Sequence, residues 1–134
     1  MIKDVSADVV IEKLKAELKK IDAIKQPEWS LYIKTGLSAE RPPIQPDWWF
    51  IRSSALLRKI SLDGPVGVER LRNAYGAKRR RGHKPAHHQK AGGKIIRTML
   101  QQLEVAGLVK KVEKPKRGRI VTAKGQKLLA KVSK

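Results

Sequence analysis

The sequence predicts a mainly α-helical domain built around a central buried helix, with a winged helix-turn-helix unit and a short β-hairpin wing. Three observations lead there. The run Trp48 to Leu62 is apolar on nearly every face, the pattern of a helix enclosed on all sides. After Gly64 the chain reads as helix, break, amphipathic helix and then two short β-type runs around a Gly/Pro-containing loop, the order of a winged helix-turn-helix. Finally, 134 residues with 40% apolar content suit one core and one domain, residues 1–134.

The elements follow in chain order. Ser6 stands where a first helix is capped, with Asp8 in the opening turn, where a carboxylate suits the helix dipole. Val10, Leu14, Leu18 and Ile21 then form one apolar stripe. Pro27 ends it, and Glu28 to Ile33 adds a short turn or helix before Gly36. Arg41 to Pro46 contains three prolines and is expected to be extended. Asp47 takes the N-cap position of the central helix, with Trp48 and Trp49 as its large core anchors. Gly64 to Gly67 is a turn, and Val68, Leu71 and Tyr75 form the inner face of the next helix, which Gly76 ends.

Residues 77–93 carry Lys78-Arg79-Arg80-Arg81, Lys84 and Lys90 among glycines and prolines. Without the apolar residues of a packed element, this stretch is expected to be a mobile basic loop. Lys94 to Ala106 is helical again, with Ile96, Met99, Leu100 and Leu103 inward and Gly107 at the C′ position. Lys94, Arg97 and Gln101 share its other face, beside Thr98 and Gln102. The wing spans residues 108–122: strands Leu108 to Val112 and Arg119 to Thr122 flank a loop from Glu113 to Gly118. Thr122 can cap a last helix that returns Leu128, Leu129 and Val132 to the core.

Charge narrows the function. The net charge is +19, a self-repulsion that calls for an anionic partner. It is also asymmetric: Met1 to Tyr75 has 13 Lys/Arg against 10 Asp/Glu, and the remainder 18 against 2. The binding surface is therefore expected on the second half, with the first half as support. An anionic membrane is the lesser candidate. No apolar run approaches the roughly 20 residues of a membrane span, the opening residues lack a signal-peptide apolar region, and no amphipathic helix pairs a basic face with bulky exposed apolar residues. The absence of cysteine excludes zinc-finger and disulfide scaffolds. His83, His87 and His88 do not make a metal site, since carboxylates are lacking nearby and the surrounding charge repels a cation. Nucleophile-elbow, P-loop and dinucleotide motifs are absent and the carboxylates are scattered. No enzyme activity, cofactor or metal is expected.

The candidate contacts are then specific. Lys78, Arg79, Arg80, Arg81, Lys84, His87 and Lys90 form an arm suited to tracking phosphates through charge and counterion release. Lys94, Arg97 and Gln101 present the recognition face of the second helix of the unit. At the wing tip, Lys116, Arg117 and Arg119 flank Gly118, where a missing side chain lets the backbone approach a phosphate. Arg52, Arg58 and Lys59 lie on the central helix and read equally well as internal pairing groups or as an emerging RNA-facing stripe. Arg97→Ala and Arg119→Ala are expected to weaken nucleic-acid binding with little effect on thermal stability.

Asp47-Trp48-Trp49-Phe50-Ile51-Arg52, the run on to Leu62, Gly64-Pro65-Val66-Gly67-Val68 and Tyr75-Gly76 resemble the small-subunit ribosomal protein S-nineteen-e family of archaea and eukaryotes. Lys84-Pro85-x-His87, Arg97-x-x-Leu100-Gln101-x-Leu103-Glu104 and Gly118-Arg119-x-x-Thr122-x-x-Gly125 continue the resemblance across essentially the whole chain. It implies a structural ribosomal protein, a place in the head of the small subunit on ribosomal RNA, and a role in subunit maturation. It also implies neighbouring small-subunit proteins as partners, a cytoplasmic location on the ribosome and a monomer when free. The family's sensitive basic positions match Arg52, Arg58, Arg97 and Arg119, which moves the first two toward RNA binding, and Trp48 matches its central-helix tryptophan. The Lys34 to Gln45 stretch and the doubled tryptophan look archaeal. The competing reading is a winged-helix DNA-binding transcription regulator. Such proteins usually dimerise to match a two-fold operator, and no dimerisation helix is evident here.

Overall fold

The computed structural model describes residues 5–36, 42–113 and 117–133, and of Arg80 and Arg81 the backbone alone. Five helices are present among them: α1 (Ala7–Leu18), α2 (Trp48–Asp63), α3 (Val68–Ala74), α4 (Gly93–Val105) and α5 (Ala123–Val132). Two antiparallel hairpins join them, β1 (Ala77–Arg81) with β2 (Lys84–Gln89), and β3 (Val109–Val112) with β4 (Gly118–Val121).

Helix α2 is the centre, as its composition predicts. Trp49, Ser53, Ser54, Leu56 and Leu57 are fully buried, and Asp63 is its one exposed residue. The α1 stripe, Val10, Leu14 and Leu18, packs against it at 0% exposure. Each such aliphatic side chain removed from water contributes about 1.5–3 kcal/mol. Ile95, Ile96, Met99, Leu100 and Leu103 of α4 close the other side, with Leu129 and Val132 of α5.

Trp49 lies edge-on to both Trp29 and Trp48, with ring centroids 5.9 and 5.5 Å away, an arrangement favoured by the ring quadrupoles. Its indole N–H donates to Gln102 Oε1 at 2.9 Å, and Gln102 Nε2 donates to the Lys25 carbonyl at 2.7 Å. One glutamine thereby ties α4 to α2 and to the segment after α1.

Two caps depart from expectation. Ser6 and Asp47 occupy N-cap positions, yet neither side chain bonds its helix. The Asp47 carboxylate instead pairs with Lys15 at 2.9 Å and Lys19 at 3.4 Å, and the Lys15 hydrogen bond holds its pKa below the usual aspartate value. Thr122 caps α5 as expected, accepting from the Gly125 N–H at 3.2 Å. Gly107 ends α4 with φ +81°, a left-handed conformation that suits glycine.

The larger correction is residues 77–93. In place of a loop without regular structure, Ala77 pairs with Gln89, Lys78 with His88 and Arg79 with His87, with a bulge before Arg81 opposite Lys84. Periodicity could not reveal this hairpin, because its residues from 77 to 88 whose side chains are described are all exposed. Its base is fastened to α3: the Ala91 N–H donates to the Arg72 carbonyl, and Arg72 Nε to the Ala91 carbonyl, both at 2.9 Å. Lys90 adds an ion pair to Glu69 at 2.9 Å, and Glu69 also holds Arg72.

The wing is docked as well. Arg119 and Val66 exchange backbone hydrogen bonds of 3.0 and 3.3 Å, joining β4 to the turn between α2 and α3. The expected loop residues Lys114, Pro115 and Lys116 lie outside the described residues.

Candidate nucleic-acid interface

Helix α4 is amphipathic, with the candidate contact residues on its outer face. Lys94, Arg97 and Gln101 are exposed while Ile96, Met99, Leu100 and Leu103 are buried, so the 3.6-residue period separates a basic face from an apolar one. Lys94 is steered by a residue that sequence reading did not single out: its ammonium lies 4.4 Å from the centroid of the Trp29 ring, an attraction of about 0.5–2 kcal/mol. Arg97 is free of any ion pair among the described residues.

Hairpin β1–β2 precedes this face directly, with only Lys90, Ala91 and Gly92 between β2 and α4. Lys78, Arg79, Lys84 and His87 are exposed on it. Lys90 is exposed too, but Glu69 partly answers its charge, and the hydrogen bond from Lys90 draws the Glu69 pKa down. The side chains of Arg80 and Arg81 lie outside the described residues. The hairpin thus carries its cations on two paired strands at a fixed base.

On α2 a second group forms around Tyr75, the residue that ends α3. The Arg52 guanidinium lies 4.5 Å from the Tyr75 ring centroid. Burial lowers the Arg52 pKa below the usual arginine value and raises that of Tyr75, yet an arginine stays charged through such shifts. Arg58 Nε is buried without a hydrogen-bond partner, a state that costs about 1–3 kcal/mol. Lys59 is half-buried and makes a 3.5 Å pair with Asp63. Tyr75 lies two residues before β1 in the chain.

The wing differs most from its sequence reading. Arg119 Nε donates to Glu104 Oε1 at 2.6 Å, and its side chain is 11% exposed. It ties β4 to α4 and does not project freely. Gly118 has φ +152°, and a Cβ there would lie 2.7 Å from the Val66 nitrogen. The missing side chain serves the docking of the wing onto that turn, so its proximity is to protein backbone. Arg117 is exposed and remains the outward cation of the described tip; Lys116 lies outside the described residues.

The structure therefore gathers Arg52, Arg58 and Lys59 with Tyr75, leaves Lys78, Arg79, Lys84, His87, Lys90, Lys94, Arg97 and Gln101 exposed, and sets Arg119 inward. Trp29 and Glu69 are organising residues that sequence reading missed, and Gln102 and Glu104, named there, take internal partners that it did not assign. One signal was available: Glu104 is one of two acidic residues after Tyr75, and an isolated carboxylate among so many cations points to an internal partner. Among the described residues no helix is long and apolar enough to cross a membrane.

The sequence profile described as Ribosomal protein S19e matches residues 1–134. The small ribosomal subunit protein eS19 of Aeropyrum pernix is 44% identical over 128 residues, covering 94% of this chain and 82% of the relative. The protein of the same name from Haloarcula marismortui is 45% identical over 130 residues, covering 94% and 84%. That from Mya arenaria is 39% identical over 132 residues, covering 98% and 87%.

Proposed function

Because the chain belongs to the ribosomal protein S19e family, we propose that it is a structural protein of the small ribosomal subunit that binds ribosomal RNA in the subunit head. It works there as a scaffold that neutralises phosphates and supports maturation of the subunit. The whole-chain family match carries this reading. The geometry says how the chain would do it.

Both halves of the chain contribute to the core, and the nearly neutral first half supplies the central helix against which α4 and β4 pack. Lys78, Arg79, Lys84, Lys90, Lys94 and Arg97, with Gln101, are exposed on hairpin β1–β2, α4 and the link between them, and in this reading they act together as the RNA-binding surface. Arg and Lys on such a surface bind phosphates and release counterions. Arg52, Arg58 and Lys59 extend it onto α2. Neighbouring small-subunit proteins are its other partners, and the free protein is a cytoplasmic monomer that joins the ribosome. A DNA-binding regulator would use α4 in a major groove, but it lacks the support of the family.

Sedimentation through a sucrose gradient tests this. At moderate salt the protein is expected with the small subunit, and high salt should strip part of it. Its presence only in the free fractions at moderate salt would overturn the ribosomal reading.

A further inference from the structure

Helices α1 and α2 and the end of α3 line a cavity of about 220 Å³. Ile11, Ala55 and Leu62 give it apolar surface, Tyr75 an aromatic ring, and Arg58, Lys59 and Asp63 its polar groups. Sites that hold a whole small molecule run to about 300–1,000 Å³, so this one suits a single unit of a larger partner.

The chemistry of the lining selects that unit. A phosphate would be answered by Arg58 and Lys59. A planar base would find apolar contact and the Tyr75 ring. Its N–H groups would find an acceptor in the Asp63 carboxylate, which is unsuited to an acidic peptide side chain. Arg58 Nε is buried with no acceptor from the protein. The Lys59–Asp63 pair is long and its side chains are 38% and 51% exposed, so both groups are easily redirected. Arg52 is not among the lining residues, and its stacking on Tyr75 holds the ring from outside the cavity.

From this arrangement we infer that the cavity receives one unstacked nucleotide of the bound ribosomal RNA. Its base lies against Tyr75 and Leu62 with an N–H edge on Asp63, and its phosphate lies on Arg58 and Lys59. Proteins that read RNA commonly take unstacked bases onto aromatic rings in this way. The inference rests on the ribosomal RNA reading above and adds a defined base site to it.

The test compares wild type, Ala74→Leu and Arg58→Ala for binding to small-subunit ribosomal RNA across a salt series. Ala74 lines the cavity from an exposed position, so leucine there fills the space without removing charge or core packing. Ala74→Leu is expected to bind about tenfold more weakly, with an unchanged salt slope and melting temperature. Arg58→Ala is expected to reduce the slope by about one. In the wild-type complex, ultraviolet crosslinking should attach a nucleotide to Tyr75. Tight wild-type binding together with an unaffected Ala74→Leu and no Tyr75 adduct overturns the base site alone, leaving a phosphate contact at Arg58. Wild-type protein that fails to bind this RNA at low salt overturns the functional reading and the base site with it.

Discussion

The Arg119 guanidinium donates to Glu104 at 2.6 Å from a side chain that is 11% exposed, whereas Arg97 stands exposed on α4. Removing Arg119 leaves a partly shielded carboxylate without its charged donor. Arg119→Ala is therefore expected to cost about 2 kcal/mol and to lower the melting temperature by roughly 4–10 °C. Arg97→Ala should leave the melting temperature nearly unchanged and weaken RNA binding, with a salt slope reduced by about one. Thermal melts and salt-series binding on the two variants check this, and equal melting temperatures would show that the Glu104 pair adds nothing to stability. The sequence identifies both arginines as basic positions of interest but cannot separate them. Their difference depends on a partner 15 residues away along the chain, brought close by the fold of the wing. Gly118 teaches the same point: its lack of a side chain was legible, whereas the Val66 backbone that needs it was not.

Helices and hairpins differ in how openly their sequences declare them. The α1 stripe and the two faces of α4 follow from apolar spacing, because those helices are half in water and half in the core. Helix α2 is legible from the opposite property, an apolar composition on all sides. Hairpin β1–β2 has neither signal. Its described side chains up to His88 are exposed, so neither face leaves an apolar alternation, and its strand pairing is set by its anchoring at Arg72, Glu69 and Ala91. An isolated two-stranded hairpin is marginal in water. Replacing residues 78–88 with a glycine-serine linker is accordingly expected to leave the melting temperature nearly unchanged. RNA affinity should fall, with the salt slope dropping by about one for each phosphate that the hairpin no longer neutralises. A large fall in melting temperature would show that the hairpin is part of the folding unit.

For the molecule as a whole, the charge of +19 works in opposite directions in the free and bound states. In isolation the cations repel one another across a single core. Raising salt from about 50 to about 200 mM is expected to raise the melting temperature of the free protein, since the screening length shortens. The same change should weaken RNA binding by about 10³-fold or more if six or more phosphates are neutralised. Calorimetry and binding over one salt series measure both, and parallel trends would contradict the picture. Charge alone points to the second half as the more basic one, but it does not reveal that the same half also contributes α4, β3, β4 and α5 to the core. Nor does charge choose RNA over DNA, because a winged helix serves either, and that choice came from the motifs of the family.

The paired hydrogen bonds between Val66 and Arg119 also bear on how the chain is made. They join residues 53 positions apart and secure the turn between α2 and α3 to β4. During synthesis, α1, α2 and α3 emerge well before the strand that completes this link. Contacts of such sequence separation form late and slow the folding of small domains. A nascent chain stalled before Arg119 exposes the apolar surface of α2 and lacks the partner of Glu104. Such a chain is prone to quality control and aggregation, so a truncation upstream of β4 is expected to lower the melting temperature of the domain as well as remove the wing.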